Sequence, residues 1–331
     1  MNLPFKKNVI VTGGCGYIGS HVARAFKEAG DHVVVIDNVR REHTLKGIDG
    51  YLIEDFASDA ALSYIQMSQA DIIVHCAGTS LVGPSMTDPS EYYSNNVVKT
   101  IRMLNVIKNM SNKPAIMFSS SASVYGAGSN LPLNEHASVS PISPYGSTKA
   151  TCEMLLNDYG RAYGINTVCF RYFNAAGTHS SGELGQEPDA THLIARVLEA
   201  SINNRAFTIN GDDYDTRDGT CIRDYVHVWD IALAHLRAAS YLDREISASP
   251  DSTVVNEVFN LGTNQGISTK EIVDYVYRKY GIGLVKHGSR RHGDPAILIA
   301  DATDANTWLG WTPVNSSLAQ IVDSAYKWYT K

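Results

Sequence analysis

The sequence predicts an α/β fold in which helices cover both faces of a doubly wound parallel sheet. Through residues 1–175, short apolar runs rich in β-branched residues alternate with amphipathic helical segments, which is typical of such sheets. A glycine-rich turn follows the first apolar run, and a cluster of serines ends a later one. Beyond this half the alternation stops, and a polar segment with several glycines covers residues 177–189. We therefore expect a second, smaller α/β domain over residues 176–331.

The composition is that of a soluble globular protein and excludes several classes of function. Of the 331 residues, 44% are hydrophobic and 19% charged, and the formal net charge is −6, so we expect neither a nucleic-acid nor a membrane partner. Neither a signal peptide nor an apolar stretch near 20 residues long is seen. The five cysteines are scattered without a Cys-x-x-Cys pair, and the eleven histidines show no ligand spacing. These patterns predict a cytoplasmic protein with reduced thiols and no metal site.

The first element is a strand that leads into a glycine turn and a helix. Residues 8–12 form a β-branched run, glycines follow at positions 13, 16 and 19, and an amphipathic segment extends to residue 29. Glycines at this spacing allow a tight turn and a close approach of a pyrophosphate to the backbone. The start of the helix then offers free N–H groups to the phosphates. The pattern predicts a Rossmann-type dinucleotide site formed by Gly13, Gly16 and Gly19.

The second strand ends in an acidic residue that bears on the choice of dinucleotide. The apolar run over residues 33–36 is followed by Asp37, eighteen residues after Gly19. A carboxylate at this place accepts hydrogen bonds from the adenosine ribose and repels a 2′-phosphate, which favours NAD over NADP. Arg40 and Arg41 follow closely and could instead accommodate that phosphate. The alternative reading of Asp37 is a simple loop cap.

The alternation continues to residue 170. In chain order the sequence predicts strands over residues 51–53 and 71–75, an amphipathic helix over 89–110, a strand into Ser119, a helix over 145–163 and a strand over 166–170. Asp55 and Phe56 follow one strand and could clamp an adenine, while Cys76 and Ala77 follow the next and would pass under the pyrophosphate. Because the carboxyl ends of parallel strands meet at one edge of the sheet, we expect the site at that edge.

The chemistry is predicted where the serine cluster and the following helix meet. Pro144 indicates a helix start, so Tyr145 and Lys149, four residues apart, share one face of its first turns. A phenol is a poor base at neutral pH, but an ammonium group nearby favours the phenolate. Ser121, at the end of a strand, could complete a proton path to a substrate alcohol. The competing interpretation is an exposed helix with an incidental tyrosine and lysine.

The second half has fewer strong signals. In chain order we expect a helix over residues 190–202, an apolar run near 207–211, a helix from 227 to 242, a strand over 254–261 and helices over 269–280 and 318–329. The segment near residues 225–263 is expected to return to the first domain and to add a strand to its sheet.

Several motifs, in collinear order over nearly the whole chain, together resemble one subfamily. They are TGGCGYIGSH at residues 12–21, EYYSNNV at 91–97, SSS at 119–121, YGSTK at 145–149, RYFN at 171–174, GDDYDTRDG at 211–219, IRDYVHV at 222–228 and RRHGD at 290–294. This combination is similar to that of the extended short-chain dehydrogenase/reductases, and within them it resembles the UDP-glucose (UDP-galactose) 4-epimerases.

The resemblance implies an isomerase of UDP-sugars that acts with NAD. It implies that Tyr145 removes the proton of the sugar 4-hydroxyl while hydride passes from C4 to NAD⁺, that Lys149 binds the nicotinamide ribose, and that Ser121 holds the 4-oxygen. The 4-keto sugar would then turn over in the site and receive hydride on its other face. The residues that match the family's NAD contacts are Gly13, Gly16, Tyr17, Ile18, Gly19, Asp37, Asn38, Asp55, Phe56, Cys76, Ala77, Ser119, Tyr145, Lys149 and Tyr172.

The resemblance also implies a nucleotide-sugar site in the second domain and a homodimer. The residues that match substrate contacts are Ser121, Tyr145, Asn174, His192, Leu193, Thr208, Asn210, Arg223, Tyr225, Arg291, Asp294 and Leu298. Among them, Arg223 and Arg291 would clamp the diphosphate, for which a guanidinium fork is suited. The two subunits would pair through the helices over residues 89–110 and 145–163.

Five positions depart from the family's pattern. Ser80 stands where many members carry a lysine near the pyrophosphate, which bears on how firmly NAD is held. Thr191 and His192 stand where many members carry two asparagines, and Asn210 stands where an aromatic often stacks on uracil. Leu298 aligns with a position where the family uses a tyrosine to exclude N-acetylated sugars or a smaller residue to admit them. UDP-GlcNAc, UDP-GalNAc and UDP-pentoses therefore stay open as substrates.

Two further functions remain as alternatives. A nucleotide-sugar 4,6-dehydratase would carry an acidic pair beside the catalytic serine, whereas this chain has Ser121, Ala122 and Ser123. A non-catalytic NAD-binding protein could keep the same fold. Loss of Tyr145 or Lys149 would be the expected mark of such a protein, and this chain retains both.

Overall fold

A computed structural model describes residues 6–128, 131–187, 191–248, 254–281, 283–290 and 295–331. In chain order its strands are β1 (Asn8–Thr12), β2 (His32–Asp37), β3 (Gly50–Ile53), β4 (Ile72–His75), β5 (Ala115–Ser121), β6 (Thr167–Tyr172), β7 (Asn174–Ala176), β8 (Ala206–Asn210), β9 (Ile222–His227), β10 (Asn256–Leu261), β11 (Gly266–Ser268), β12 (Leu284–Gly288) and β13 (Ile297–Leu298). Its helices are α1 (Tyr17–Glu28), α2 (Glu42–Leu45), α3 (Asp59–Met67), α4 (Val82–Ser85), α5 (Pro89–Tyr92), α6 (Lys99–Ile107), α7 (Pro144–Tyr163), α8 (Leu193–Ile202), α9 (Val228–Ala248), α10 (Thr269–Tyr280), α11 (Thr303–Leu309) and α12 (Leu318–Tyr329).

The central element is a seven-stranded parallel sheet with the strand order β10-β6-β5-β4-β1-β2-β3. The chain starts in the middle with β1, builds outward through β2 and β3, and then crosses back to β4 on the other side of β1. This reversal beside β1 is the switch point at which doubly wound sheets bind ligands. The predicted α/β class with a doubly wound parallel sheet is confirmed.

Helices cover both faces of this sheet, each over its own apolar core. One core joins side chains of α1, α9 and α11 to the sheet, with Val22, Phe26 and Ile231 fully buried. The other joins α3, α6 and α7 to the opposite face, with Ile65 and Leu104 fully buried. Apolar side chains therefore project from both faces, which is why the strands read as continuous hydrophobic runs.

The second half forms smaller sheets of its own. Strand β9 pairs with β7, β11 and β13, while β8 pairs in parallel with β12. Helices α8, α10 and α12 enclose a third apolar core that includes Leu198, Val276 and Ile321. Strand β10 leaves this half and joins the edge of the seven-stranded sheet beside β6. Helix α9, which precedes it, packs against α1.

One predicted helix was wrong in its detail. The segment expected as a single α-helix over residues 89–110 consists of α5, a π-helical turn at Tyr93–Val98, and α6, which ends at Ile107. The wider turn directs Asn96 inward, where its amide donates to the Thr148 hydroxyl over 3.0 Å and to the Thr79 carbonyl over 3.0 Å. Such insertions cluster at functional sites. Among the described helices, none combines the length and the apolar character that crossing a bilayer would require.

Candidate active site

A cavity of about 1210 Å³ runs along the carboxyl edge of the seven-stranded sheet and continues between the two halves of the chain. Most of the residues predicted for the site line this cavity. They are Gly13, Gly16, Tyr17, Ile18, Gly19, Asp37, Asn38, Asp55, Phe56, Cys76, Ala77, Ser119, Ser121, Tyr145, Lys149, Tyr172, Asn174, His192, Leu193, Thr208, Asn210, Arg223 and Tyr225.

The other three predicted residues are Arg291, Asp294 and Leu298. Arg291 and Asp294 lie outside the described residues. Leu298 belongs to β13, where it pairs with Arg223 of β9, and its side chain packs on an apolar cluster that includes Leu133 and Phe173. Leu298 therefore lies beside Arg223, which lines the cavity, but does not line the cavity itself.

The glycine turn leaves room at the start of α1. Gly13 has a φ of +71°, and a Cβ added to it would stand 2.6 Å from the backbone nitrogen of Ala77. A Cβ on Gly19 would stand 2.2 Å from the carbonyl oxygen of Gly13. Gly16 is the N-cap of α1 and has no side chain to occupy the first N–H groups of that helix. A bare helix start against a side-chain-free loop fits a pyrophosphate, as binding of a dinucleotide requires.

Asp37 ends β2 with both carboxylate oxygens held by the backbone. One oxygen accepts from the Cys15 N–H over 2.9 Å, and the other accepts from the Val39 N–H over 2.9 Å. Beside it, the Arg41 guanidinium donates to the Cys15 carbonyl over 2.9 Å. Asp37 therefore does fix the local loop, as the simpler interpretation held, and it also faces the cavity at the place expected for a ribose.

The adjoining part of the cavity wall is organised by a buried histidine. His75, at the end of β4, bonds through its two ring nitrogens to the hydroxyls of Thr12, over 2.7 Å, and Thr100, over 2.9 Å. Burial, aided by the positive charge of Lys149, lowers the pKa of His75 to about 3, so the ring is neutral. Its ring also contacts that of Phe56 at 4.8 Å between centroids, which fixes one side of the expected adenine site.

Tyr145 and Lys149 lie on one face of α7, close to where that helix begins. Ser143 caps the helix by accepting from the Gly146 N–H, and Pro144 occupies its first turn. The Lys149 ammonium donates to the Ser119 carbonyl over 2.7 Å and lies 5.9 Å from the centre of the Tyr145 ring. Both side chains are buried, and both contribute to the cavity wall. Within the described residues, no protein group hydrogen-bonds to the Tyr145 hydroxyl, so it is available to a bound molecule.

Ser121 completes this cluster from the end of β5. Its hydroxyl caps the short helical turn that follows, donating to the Ser123 hydroxyl over 3.1 Å and accepting from the Ser123 N–H over 3.2 Å. On the other side of the cluster, burial raises the pKa of the Cys76 thiol to about 11. The thiol is therefore protonated at neutral pH.

The second half supplies the opposite wall. Asn174 and Tyr225 face each other across β7 and β9, and the Asn174 amide donates to the Asp224 carbonyl over 3.0 Å. Arg223 follows on β9, and Thr208 and Asn210 reach the cavity from β8. His192 is the N-cap of α8. A cationic and polar wall of this kind suits a phosphate-bearing ligand, whereas no metal-ligand cluster occurs among the described residues.

Several residues of the cavity wall were not predicted as site residues, among them Lys99, Gln186 and Glu187. Lys99 pairs with Asp55 at 2.6 Å across 44 positions of sequence, and Arg41 lies 3.6 Å from Glu187. For Lys99, the sequence shows only a basic residue on a mostly apolar helix, which does not by itself indicate a site.

Comparison with known proteins gives consistent relatives over nearly the whole chain. The family model described as the NAD dependent epimerase/dehydratase family matches residues 9–262. The UDP-glucose 4-epimerase of Halalkalibacterium halodurans is 39% identical over 327 residues, covering 97% of this chain and 95% of that protein.

Solved structures agree in fold over the same length. The UDP-glucose 4-epimerase from Brucella ovis in complex with NAD has a TM-score of 0.89 and 39% identity, with 97% of each chain covered. The UDP-glucose 4-epimerase from Stenotrophomonas maltophila, with bound NAD and formylated UDP-arabinopyranose, has a TM-score of 0.90 and 31% identity, with 98% of each chain covered.

Proposed function

We propose, because this chain belongs to the NAD dependent epimerase/dehydratase family, that it is an isomerase which inverts C4 of a UDP-sugar with NAD as cofactor. UDP-glucose and UDP-galactose are the first substrates to test, since the relatives that cover nearly its whole length are named UDP-glucose 4-epimerases. The observation that carries the proposal is one cavity shared by the glycine turn, by the Tyr145–Lys149 pair and by Arg223.

The protein's own groups account for the proton steps. Bound NAD⁺ supplies the hydride acceptor and, once reduced, the donor for the same carbon. Tyr145 removes the proton from the 4-hydroxyl and returns it to the 4-oxygen after the sugar has turned over. Lys149, fixed on the Ser119 carbonyl, stabilises the phenolate by its charge. Ser121 holds the 4-oxygen and passes the proton between sugar and phenol.

The remaining site residues divide between cofactor and substrate. We assign the glycine turn, Asp37, Phe56 and Tyr172 to NAD, with Asp37 selecting against a 2′-phosphate. Asn174, Arg223 and Tyr225 are assigned to the nucleotide-sugar, together with Arg291 and Asp294, which the sequence motifs support. The corresponding domains are residues 1–175 with a returning segment near 225–263, and residues 176–331.

The structural relatives are described with several different UDP-sugars. One structural relative is described with formylated UDP-arabinopyranose and another as a UDP-Glc/GlcNAc 4-epimerase. Leu298 packs into an apolar cluster rather than facing the cavity. Wall residues that do face it, such as Asn174 and Tyr225, are therefore better placed to select between a hexose, an N-acetylhexosamine and a pentose.

The test combines cofactor identification with turnover. Purified protein is denatured, the released dinucleotide is identified by mass, and native protein is incubated separately with UDP-galactose, UDP-GlcNAc and UDP-xylose. We expect NAD in the released fraction and a C4 epimer from at least one sugar. Loss of water from the sugar would instead indicate a dehydratase, and NAD without conversion of any of the sugars would indicate a binding protein.

We further propose a cytoplasmic homodimer formed through the π-helical turn, α6 and α7. Support comes from exposed apolar side chains on these elements, where Val98 is 54% and Met154 59% exposed. A paired surface of this kind usually forms a helix bundle. Val98→Asp with Met154→Asp should shift the molar mass by light scattering from dimer to monomer. Met67→Asp, at a residue that is 73% exposed on α3, should leave it unchanged.

A further inference from the structure

A segment between β7 and α8 contributes Gly177, Thr178, Gln186 and Glu187 to the wall of the cavity that Asp37 and Arg41 also line. We call residues 177–187 the strap. On one side the strap is anchored to α12, because Thr178 donates to the Ser324 carbonyl over 2.8 Å and the Trp328 indole donates to the Gln186 carbonyl over 2.6 Å. Leu184 is fully buried between these anchors. The strap is thus held to α12 by hydrogen bonds and by a buried apolar side chain.

The other side of the strap is joined to α1, which carries the glycine turn at its start. The Tyr17 hydroxyl donates to the Gly177 carbonyl over 2.5 Å. The His179 N–H donates to Nε2 of His21 over 3.2 Å, and the other ring nitrogen of His21 bonds to the Tyr17 carbonyl over 2.7 Å. Burial lowers the pKa of His21 to about 3, which keeps Nε2 free to accept.

Two glutamates of the strap add ion pairs to the residues around the dinucleotide site. Glu183 pairs with Arg24 at 3.0 Å and with Lys46. Hydrogen bonds from Lys46 and Arg24 hold the pKa of Glu183 at about 2, so it is charged at any working pH. Glu187 lies 3.6 Å from Arg41 and 3.3 Å from His43. These basic residues all come from α1, from α2 or from the residues that flank α2.

The end of the strap is itself part of the cavity wall. Gln186 and Glu187 face the cavity together with Arg41 and Asp37. Arg41 also bonds to the Cys15 carbonyl inside the glycine turn. A dinucleotide whose ribose rests on Asp37 would therefore have the strap across its adenosine end, and it could leave only if the contacts to α1 and α2 opened.

We propose that the strap retains the dinucleotide during turnover, with Glu183 and Glu187 as the residues that keep it closed. The inference rests on the proposed function, in which one cofactor molecule must serve both hydride transfers. If the reduced cofactor left between the two transfers, the 4-keto sugar could not be reduced to the product. Slow release of the cofactor is therefore needed for each catalytic cycle to finish. Partly exposed ion pairs are individually weak, but three of them, Glu183–Arg24, Glu183–Lys46 and Glu187–Arg41, act on one segment, and His43 adds a further polar contact to Glu187.

The test measures release of the cofactor and not turnover. Protein loaded with radiolabelled NAD⁺ is diluted into excess unlabelled NAD⁺, and the first-order loss of label is followed for wild type and for Glu183→Gln/Glu187→Gln. We expect release to be about tenfold faster in the double variant, since each pair is worth a few-fold. Raising the salt to about 0.5 M should speed release from wild type and change the variant little.

The matched control removes two carboxylates that also pair across elements but lie away from the cavity wall. Asp243 pairs with Lys7 at 2.6 Å, and Glu271 pairs with Arg217. Asp243→Asn/Glu271→Gln should release label at the wild-type rate. Equal rates for the strap variant and wild type, or equal acceleration in the control, would overturn the proposal.

Failure of the strap proposal is distinguishable from failure of the proposed function. If the protein binds no NAD and epimerises no UDP-sugar, the proposed function fails. If the protein carries NAD and converts a UDP-sugar, but removing Glu183 and Glu187 leaves release unchanged, only the role of the strap fails.

Discussion

At the scale of single residues, Gly19 has no room for a side chain. Its missing Cβ would stand 2.2 Å from the Gly13 carbonyl oxygen, which is backbone and cannot move aside as a side chain can. We expect Gly19→Ala to force the turn and the start of α1 apart and to lower NAD affinity at least about a hundredfold, because the phosphate-binding N–H groups would be displaced. Titration of cofactor-stripped protein with NAD by calorimetry measures this.

The control for that change is a glycine of the same half of the chain with more space around it. A Cβ on Gly50, in β3, would meet its nearest neighbour, a Val34 methyl group, at 3.4 Å. Gly50→Ala should therefore bind NAD as wild type does. An unchanged affinity in Gly19→Ala would show that the dinucleotide does not rest on this turn.

The sequence predicts those site residues whose role depends on local spacing. Gly13, Asp37 and Lys149 could be predicted because a turn, a strand end and one helix face place them, and all three line the cavity. Lys99 and Glu187 were not found, because their partners Asp55 and Arg41 lie 44 and 146 positions away. Only the folded chain brings such pairs together.

At the scale of elements, α7 is fixed to β5 and β6 by a buried ion pair. Glu153, one turn beyond Lys149, accepts from Arg171 over 2.7 Å and also from the Ser120 hydroxyl. Arg171 donates further to the Tyr125 hydroxyl over 2.9 Å. We expect Arg171→Met to lower the free energy of unfolding by about 3–5 kcal/mol, because it leaves the Glu153 charge buried without its partner. Urea unfolding measures the loss.

The matched double variant separates charge from packing. In Glu153→Gln/Arg171→Met no charge is left unpaired, so at least about half of the lost stability should return. A double variant as unstable as the sum of the single variants would mean that shape, and not the buried charge, fixes these elements.

The helix predicted over residues 89–110 shows why element details escape prediction. The apolar spacing there is helical, and the segment is helical, but a π-helical turn at Tyr93–Val98 interrupts it and contains the buried Asn96. The Asn96 amide oxygen accepts from the Thr79 N–H over 2.8 Å, at the far side of the cavity wall. Periodicity within a segment carries no information about such a distant acceptor or donor.

At the scale of the whole molecule, buried neutral histidines make stability depend on acid. Burial lowers the pKa of His21 and His75 to about 3 and that of His227 and His235 to about 4, from a usual 6.5. Below pH 6.5 these histidines bind protons in the unfolded chain, whereas in the folded chain they stay neutral until the pH approaches 4 or 3. The stability these groups contribute is therefore present above pH 6.5 and is lost as pH falls toward 4 and 3.

Urea unfolding at pH 7.5 and at pH 6 should show this loss. Four such histidines together should lower the free energy of unfolding by about 2–3 kcal/mol over that interval. Asp224 acts in the opposite sense, because burial raises its pKa to about 6 and its contribution is lost as pH rises through that value. Its effect falls mostly below pH 6. Stability that stays flat or rises on acidification over this interval would contradict the assignment of neutral histidines.

The whole account depends on the two halves of the chain meeting around one cavity. The first half brings the glycine turn, Ser121 and Tyr145 to a single sheet edge, and the second half brings Arg223 to face them. The sequence pattern predicted the strands and helices of the first half closely, because a series of alternating strands and helices is compatible with few chain topologies. The short strands of the second half, such as β9 and β13, were not delimited, because they pair with distant partners.

The most direct measurement of the central claim is the turnover of UDP-galactose by wild type and by Tyr145→Phe, with the bound cofactor quantified in both. The variant loses only the phenolic oxygen, which makes no hydrogen bond to any group in the described part of the chain. We predict that NAD content and KM stay near wild type while kcat falls by about 10²–10⁴, the usual worth of a general base. Wild-type kcat in Tyr145→Phe would contradict the account.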